Sequence, residues 1–186
     1  MHLRRDAVAA AAEWIVEVEH EAKKIPGLVA TVGSVRAIPG VTNVIAKEAA
    51  LALDVRHAAD EVRRTTVNKL ISAAEKIAVR RGMSVSHSSL ESPSVLMDSA
   101  LVDKIEQAVK KSGCEAHRMV SGAGHDAMIL AEKVPAAMIF LRSPGGISHS
   151  PEETVNTEDV EKALDAGIHL LHILESQEFL RSTPHA

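Results

Sequence analysis

The order of periodic segments in the N-terminal half restricts the fold more than any other sequence feature. Apolar residues recur at helical spacing over residues 6–24 and 59–81. Between them, residues 28–38 and 43–57 are rich in β-branched residues and contain two strands, and residues 83–90 form a short third strand. The order helix–strand–strand–helix–strand predicts most of a split βαβ two-layer sandwich, an α+β unit that lacks its opening strand.

The pattern changes after Ser92-Pro93, where we place a domain boundary. Residues 136–141 are a continuous apolar run, which is typical of a strand buried on both faces. Helices are predicted around this strand, at residues 98–112, 125–133 and 157–177. The second half is therefore predicted to be α/β, and the overall fold class α/β, with domains at residues 1–93 and 94–186.

Composition excludes several classes of function. The chain has 186 residues and a net charge of −4, which gives no electrostatic reason to expect a nucleic-acid partner. One Trp, two Phe and no Tyr argue against an aromatic base-stacking surface. No apolar run reaches the roughly 18 to 20 residues that a membrane span needs. A single cysteine, Cys114, fits a reducing compartment, so we expect a cytoplasmic protein without a membrane partner.

The loop SPGGISHSPEE (residues 143–153) is the first candidate site. Its two glycines allow unusual backbone dihedrals beside a ligand, and His149 follows them directly. Neutral imidazole is a common metal ligand, although a lone loop histidine is more often an ordinary surface residue. A catalytic metal needs about three protein ligands, so the companions of His149 must come from elsewhere in space or from another polypeptide.

The segment SGAGHDA (residues 121–127) is the second candidate. Its glycines, Gly122 and Gly124, permit close approach of the backbone to a ligand, and His125 is placed to hydrogen-bond a substrate or to stabilise developing charge. A tight turn into a helix, with Asp126 as a cap, explains the same residues equally well.

Asn43 and Arg56 form the third candidate, because a guanidinium and an amide together make a good carboxylate clamp. In this interpretation Asn43 opens a strand and Arg56 closes the same hairpin. A turn asparagine and a surface arginine paired with Asp54 or Asp60 are the simpler alternative.

These candidate segments also carry a family resemblance. The motifs SGAGHDAM, IFLRSPGGISHSPEE, PGVTNVI and LALDVRH resemble the hydantoinase/carbamoylase branch of the M20 metallopeptidase-like amidohydrolases, which includes allantoate amidohydrolases and N-carbamoyl-L-amino acid hydrolases. The resemblance covers almost the whole chain but only the C-terminal half of such an enzyme. It implies that residues 1–93 are a lid and dimerisation domain, and that residues 94–186 are the C-terminal portion of a catalytic domain.

The resemblance also implies roles for the candidate residues. His149 matches a ligand of a divalent metal, Zn or Mn, in the complete enzyme. Asn43 and Arg56 match lid residues that hold the carboxylate of a carbamoyl or ureido substrate in the partner subunit of a homodimer. Gly124 and His125 match residues that contact the substrate.

Several family features are absent from the sequence. The other metal ligands and the general base belong to the N-terminal half of the family, and Ala46 and Ala58 stand where the family usually has proline. We therefore expect part of an amidohydrolase that binds no metal and has no activity alone. The alternatives are a non-catalytic oligomerisation module, or a subunit completed by a separate N-terminal half.

Overall fold

The structure is a computed structural model that describes residues 4–175. The chain divides into two compact units, Met1–Ser94 and Val95–Ala186. The architecture is mixed α/β, with a small antiparallel sheet in the first unit. Among the described residues, no helix combines the length and the apolar character that crossing a membrane requires.

Helix α1 (Ala7–Lys24) confirms the helix predicted from the alanine-rich N-terminal segment. The Asp6 side chain caps it by accepting a hydrogen bond from the Ala9 amide at 3.2 Å, which satisfies one of the amides that a helix start leaves unpaired. The helix ends before Pro26, as the Pro-Gly pair predicts.

Strands β1 (Val29–Ile38) and β2 (Glu48–Arg56) form the predicted antiparallel hairpin. The register pairs Ile38 with Glu48 beside the connection and Val29 with Arg56 at the far end. Burial alternates along much of both strands because one face of the hairpin is covered and the other faces solvent.

Helix α2 (Asp60–Arg80) confirms the second predicted helix and packs with α1 over the hairpin. Leu70 on α2 and Val18 on α1 are the largest fully buried side chains within residues 4–175. The Trp14 indole Nε1 donates a hydrogen bond to the Leu70 carbonyl at 2.8 Å. The buried apolar residues here are all aliphatic.

Glu21 is a buried carboxylate at the same α1–α2 interface, with a side chain only 3% exposed. It accepts hydrogen bonds from Lys24 and Lys69. Both hydrogen bonds lower the pKa of the Glu21 carboxyl, and the one from Lys24 has the larger effect. A buried charge is tolerated here because both of its oxygens are paired.

The second unit contains α3 (Ser99–Lys111), the short helix α4 (Asp126–Leu130), a single 3₁₀ turn at Pro144–Gly146, and α5 (Thr157–Glu175). Helices α3 and α5 pack together through small residues, since Ala108 and Ala166 are buried. The predicted last helix extends to residue 177, and its final two residues lie outside the described part of the chain.

Two predicted strands are not found. Residues 83–90 and 136–141 make no ladder hydrogen bonds, and the hairpin is the only sheet within residues 4–175. A β-strand needs a neighbour to pair its amides and carbonyls, and the described chain supplies none for either segment. Accordingly the apolar run is not enclosed: Ile139, Phe140 and Leu141 are each about two-fifths exposed.

Candidate functional site

Arg56, the last residue of β2, lies on the same strand face as Asp54 because residues two apart share a face. Its guanidinium donates from Nε to Asp54 Oδ1 at 2.9 Å and from Nη2 to Oδ2 at 2.6 Å, a bidentate pair. The hydrogen bonds lower the pKa of Asp54 and raise the pKa of Arg56. The structure therefore contains the ion pair with Asp54 that the sequence left open as an alternative.

Asn43 is exposed in the connection between the two strands, not at the start of a strand. The prediction that Asn43 opens β2 is wrong, because the chain turns between Val41 and Val44, where the Val44 amide donates to the Val41 carbonyl at 3.2 Å. Regular pairing resumes only at Lys47, whose amide donates to Ile38 at 2.9 Å.

The hairpin places Asn43 and Arg56 towards opposite ends. Strand β2 has nine residues, and such a strand is about 26 Å long. Helix α1 spans the same length: its first amide, at Ala7, donates to Ala46 in the connection, and its C-cap Ile25 accepts from Leu28 beside the other end of the hairpin. The two side chains of one chain are therefore not brought together as a single clamp.

His57 follows Arg56 and fixes the chain where the strand ends, a role that the sequence analysis missed. The Ala59 amide donates to His57 Nδ1 at 3.0 Å, so this nitrogen is the unprotonated one. The other ring nitrogen, Nε2, then carries the proton and donates to the Pro26 carbonyl at 3.2 Å. The imidazole thus joins the turn before α2 to the turn after α1.

The SGAGHDA segment is the turn that leads into α4, and His125 is the N-cap residue of that helix. The His125 ring is partly buried; Ser121 Oγ lies 2.8 Å from its Nε2. Phe140 meets the same ring edge to face, with centroids 5.7 Å apart. The sequence analysis missed both neighbours; the spacing of Ser121 four residues before His125 was the available signal.

His149 lies just after the 3₁₀ turn, in the left-handed region with φ 56°. Non-glycine residues seldom adopt this conformation, and those that do cluster at functional sites. Its amide donates to Glu153 Oε2 at 2.9 Å, and its exposed ring contacts Ser148 Oγ through Nδ1 at 3.3 Å. The Glu153 carboxylate thus holds the backbone amide of His149, while the imidazole ring stays exposed.

The donor set around His149 does not by itself fit a catalytic metal. Within residues 4–175, no group of three or more His, Cys, Asp or Glu side chains is arranged to hold an ion. Since a catalytic metal takes about three protein ligands, the described residues do not form a complete set for one.

Comparison with known proteins adds a family relationship. The sequence pattern described as Peptidase family M20/M25/M40 matches residues 3–173. An N-carbamoyl-L-amino acid amidohydrolase from Geobacillus stearothermophilus is 38% identical over 160 residues, 86% of this chain and 39% of the relative. An allantoate amidohydrolase from Bacillus subtilis is 31% identical over 176 residues, 94% of this chain and 43% of the relative.

The fold is similar to that of solved enzymes. A crystal structure of an amidase of the hydantoinase/carbamoylase family from Burkholderia multivorans matches with a TM-score of 0.86 at 30% identity, covering 92% of this chain and 42% of that one. The chain therefore spans about two fifths of the length of the proteins it matches.

Proposed function

The chain belongs to the M20/M25/M40 peptidase family, and on that premise we propose that it is the C-terminal part of a metal-dependent amidohydrolase. The substrate class is a carboxylate carrying a carbamoyl or ureido group, such as allantoate or an N-carbamoyl-L-amino acid, and the bond hydrolysed is a ureido or carbamoyl C–N bond. The relatives with these activities support the proposal. Residues 1–93 act as the lid and residues 94–186 as the end of the catalytic domain.

Arg56 binds the substrate carboxylate in this proposal. The support for this role is the relationship to hydrolases of N-carbamoyl-L-amino acids and allantoate; the bidentate pair with Asp54 shows only that this guanidinium is able to hold a carboxylate in fork geometry. Both side chains are about half exposed, so the pair is reachable from solvent. A substrate carboxylate then competes with Asp54 for the guanidinium.

Asn43 also binds the substrate carboxylate, from the other end of the hairpin. Because one chain holds Asn43 and Arg56 far apart, a carboxylate that needs both receives them from two copies of the lid. This arrangement favours a homodimer formed through the lid, and a size-exclusion mass of twice the chain mass is the expected result.

Gly124 and His125 contact the reacting end of the substrate, and His149 supplies one ligand to a divalent ion, Zn or Mn. The remaining ligands and the general base come from a different polypeptide segment. Since one imidazole cannot hold a divalent ion in a catalytic geometry, the 186-residue protein alone has no hydrolase activity in this proposal. Turnover of an N-carbamoyl-L-amino acid by the purified chain with added Mn or Zn would contradict it.

A chimeric enzyme tests the function directly. The segment of the Geobacillus relative that this chain matches is replaced by the corresponding residues of this chain, and release of the free amino acid is measured. Turnover of an N-carbamoyl-L-amino acid is expected. A folded chimera of the parent mass that hydrolyses neither this substrate nor allantoate contradicts the proposal.

Variants of the chimera separate the roles. Replacing His149→Ala removes a metal ligand and is expected to lower kcat by at least tenfold, whereas replacing the exposed His117→Ala leaves it unchanged. Replacing Arg56→Lys abolishes the fork and raises KM, whereas Arg36→Lys on the neighbouring strand is the matched control. An equal change of kcat in the two histidine variants would refute the role of His149. An equal change of KM in the two arginine variants would refute the role of Arg56.

The second candidate function is a non-catalytic oligomerisation module. It is favoured by the hairpin, whose two strands pair only with each other within residues 4–175 and so present their outer edges for pairing with another chain. A stable dimer without activity in the chimera supports this candidate. We place either form in the cytoplasm, where the single thiol of Cys114 stays reduced.

A further inference from the structure

Ser121 and His125 form a polar pair whose role is unassigned. Besides His125 Nε2 at 2.8 Å, Ser121 Oγ contacts two backbone groups of one residue, the Ala123 amide at 3.2 Å and the Ala123 carbonyl at 3.2 Å. The hydroxyl is therefore held by three neighbours at once, inside the turn that leads into α4.

The hydrogen-bonding capacity of a hydroxyl decides the direction of each bond. A serine hydroxyl has one proton to donate and two lone pairs that accept. The Ala123 amide can only donate and the Ala123 carbonyl can only accept, so these two contacts use one lone pair and the proton. With the proton given to the Ala123 carbonyl, the remaining lone pair faces His125 Nε2, which assigns this nitrogen as the donor.

We infer that Ser121 is a positioning residue that holds neutral His125 in its Nε2–H tautomer and so leaves Nδ1 as the unprotonated, accepting nitrogen. Within residues 4–175, Nδ1 makes no hydrogen bond of its own, and the edge-to-face contact with Phe140 restrains the ring plane. Such a nitrogen pairs with an N–H donor and not with an oxyanion or a carbonyl oxygen.

This inference deepens the proposed function and rests on it for the nature of the ligand. A carbamoyl or ureido group carries N–H bonds beside its carbonyl, and Nδ1 of His125 accepts one of them. His125 thus recognises the nitrogen side of the group that is cleaved, which distinguishes a ureido substrate from an ester or a carboxylate of the same shape.

The tautomer is measured by nitrogen NMR on the 186-residue protein labelled at histidine, with the His125 signals identified by their loss in His125→Gln. We expect an unprotonated Nδ1 and a protonated Nε2 in a single tautomer at a pH where the ring is neutral. Exposed His87 in the same spectrum is the reference for an unrestrained ring. A protonated Nδ1 in His125, or a tautomer mixture like that of His87, overturns the inference.

Two variants test whether Ser121 is the cause. Replacing Ser121→Ala is expected to expose the Nε2 proton to exchange with water and to introduce the second tautomer, while Ser121→Thr keeps the hydroxyl and the wild-type signals. An unchanged His125 in a folded Ser121→Ala protein overturns the role of Ser121. If Ser121→Ala does not fold, the test is the folded Ser121→Thr protein. Loss of the wild-type His125 tautomer in that protein also overturns the role of Ser121.

The measurement needs no substrate and no metal. A failed chimera with the expected tautomer refutes the proposed function alone, whereas an active chimera with the opposite tautomer refutes this inference alone.

Discussion

Replacing Leu70→Ala is expected to destabilise the first unit more than most single substitutions in it. Leu70 has no solvent-exposed surface and lies where α2 packs against α1. The substitution deletes three carbon atoms from this contact. The Trp14 indole bonds to the backbone carbonyl of Leu70, so this hydrogen bond survives the change.

The magnitude follows from burial. The lost transfer free energy is about 2.4 kcal/mol, at about 0.8 kcal/mol for each buried carbon. The cavity left between the two helices adds to it, because the backbone carbonyl held by Trp14 limits collapse of α2, and the free energy of unfolding falls by about 3 kcal/mol. This loss is a large fraction of the about 5–15 kcal/mol by which domains are stable.

The assay is urea denaturation followed by fluorescence. Trp14 is the only tryptophan in the chain and lies on α1, so it reports the first unit alone. With a denaturant slope of about 1.5 kcal/mol per molar urea, the midpoint falls by about 2 M. Val79→Ala, on the same helix but 76% exposed, is the control and shifts the unfolding free energy by less than about 0.5 kcal/mol. A midpoint shift for Leu70→Ala no larger than that of the control would refute the packing argument.

Three further predictions concern a cap, a titration and two glycines. Replacing Asp98→Ala removes the side chain that accepts from the Leu101 amide at 2.8 Å, so the second unit loses about 1 kcal/mol, measured by thermal unfolding of α-helical circular dichroism. The lowered pKa of Glu21 means that its stabilising effect is present above the ordinary carboxyl value of 4.5 and is lost as pH falls below it through the folded pKa. The difference in unfolding free energy between wild type and Glu21→Gln, followed by tryptophan fluorescence, therefore shrinks on acidification, and a constant difference would contradict the ion-pair account. Gly113 has φ 78° and open space around it, so Gly113→Ala destabilises the protein by about 1 kcal/mol through backbone strain alone. Gly167 lies inside α5, where Gly167→Ala stabilises the protein by about 0.5–1 kcal/mol. Changes of the same sign for both variants in thermal unfolding would refute this reasoning.

The helices were the most predictable part of the fold. Helix α1 begins at a capping aspartate and ends before a proline, and α3 ends before Gly113, because these signals act within one turn of the residues they affect. The alternation of apolar and polar residues also predicted the hairpin. The predicted start of β2, at Asn43, was five residues too early. An apolar and β-branched segment such as Val44-Ile45 has strand propensity without necessarily having a partner.

The candidate site was predictable in its residues but not in its contacts. The sequence indicated His125, His149 and Arg56, and it offered Asp54 as a partner of Arg56. It did not indicate that Phe140 contacts His125, since this contact joins residues in different loops.

The sequence by itself determined the local features: where helices start and stop, which segments alternate as strands do, and which loops carry histidine. These features depend on neighbours within about four positions, whose energies are the same wherever the segment is placed. Only the tertiary structure decided that two apolar runs find no strand partner, that Asn43 and Arg56 lie at opposite ends of one hairpin, and that the Trp14 side chain reaches a carbonyl 56 residues away. Such outcomes depend on which groups meet in space, and a hydrogen bond has no energy until its distant partner is in place.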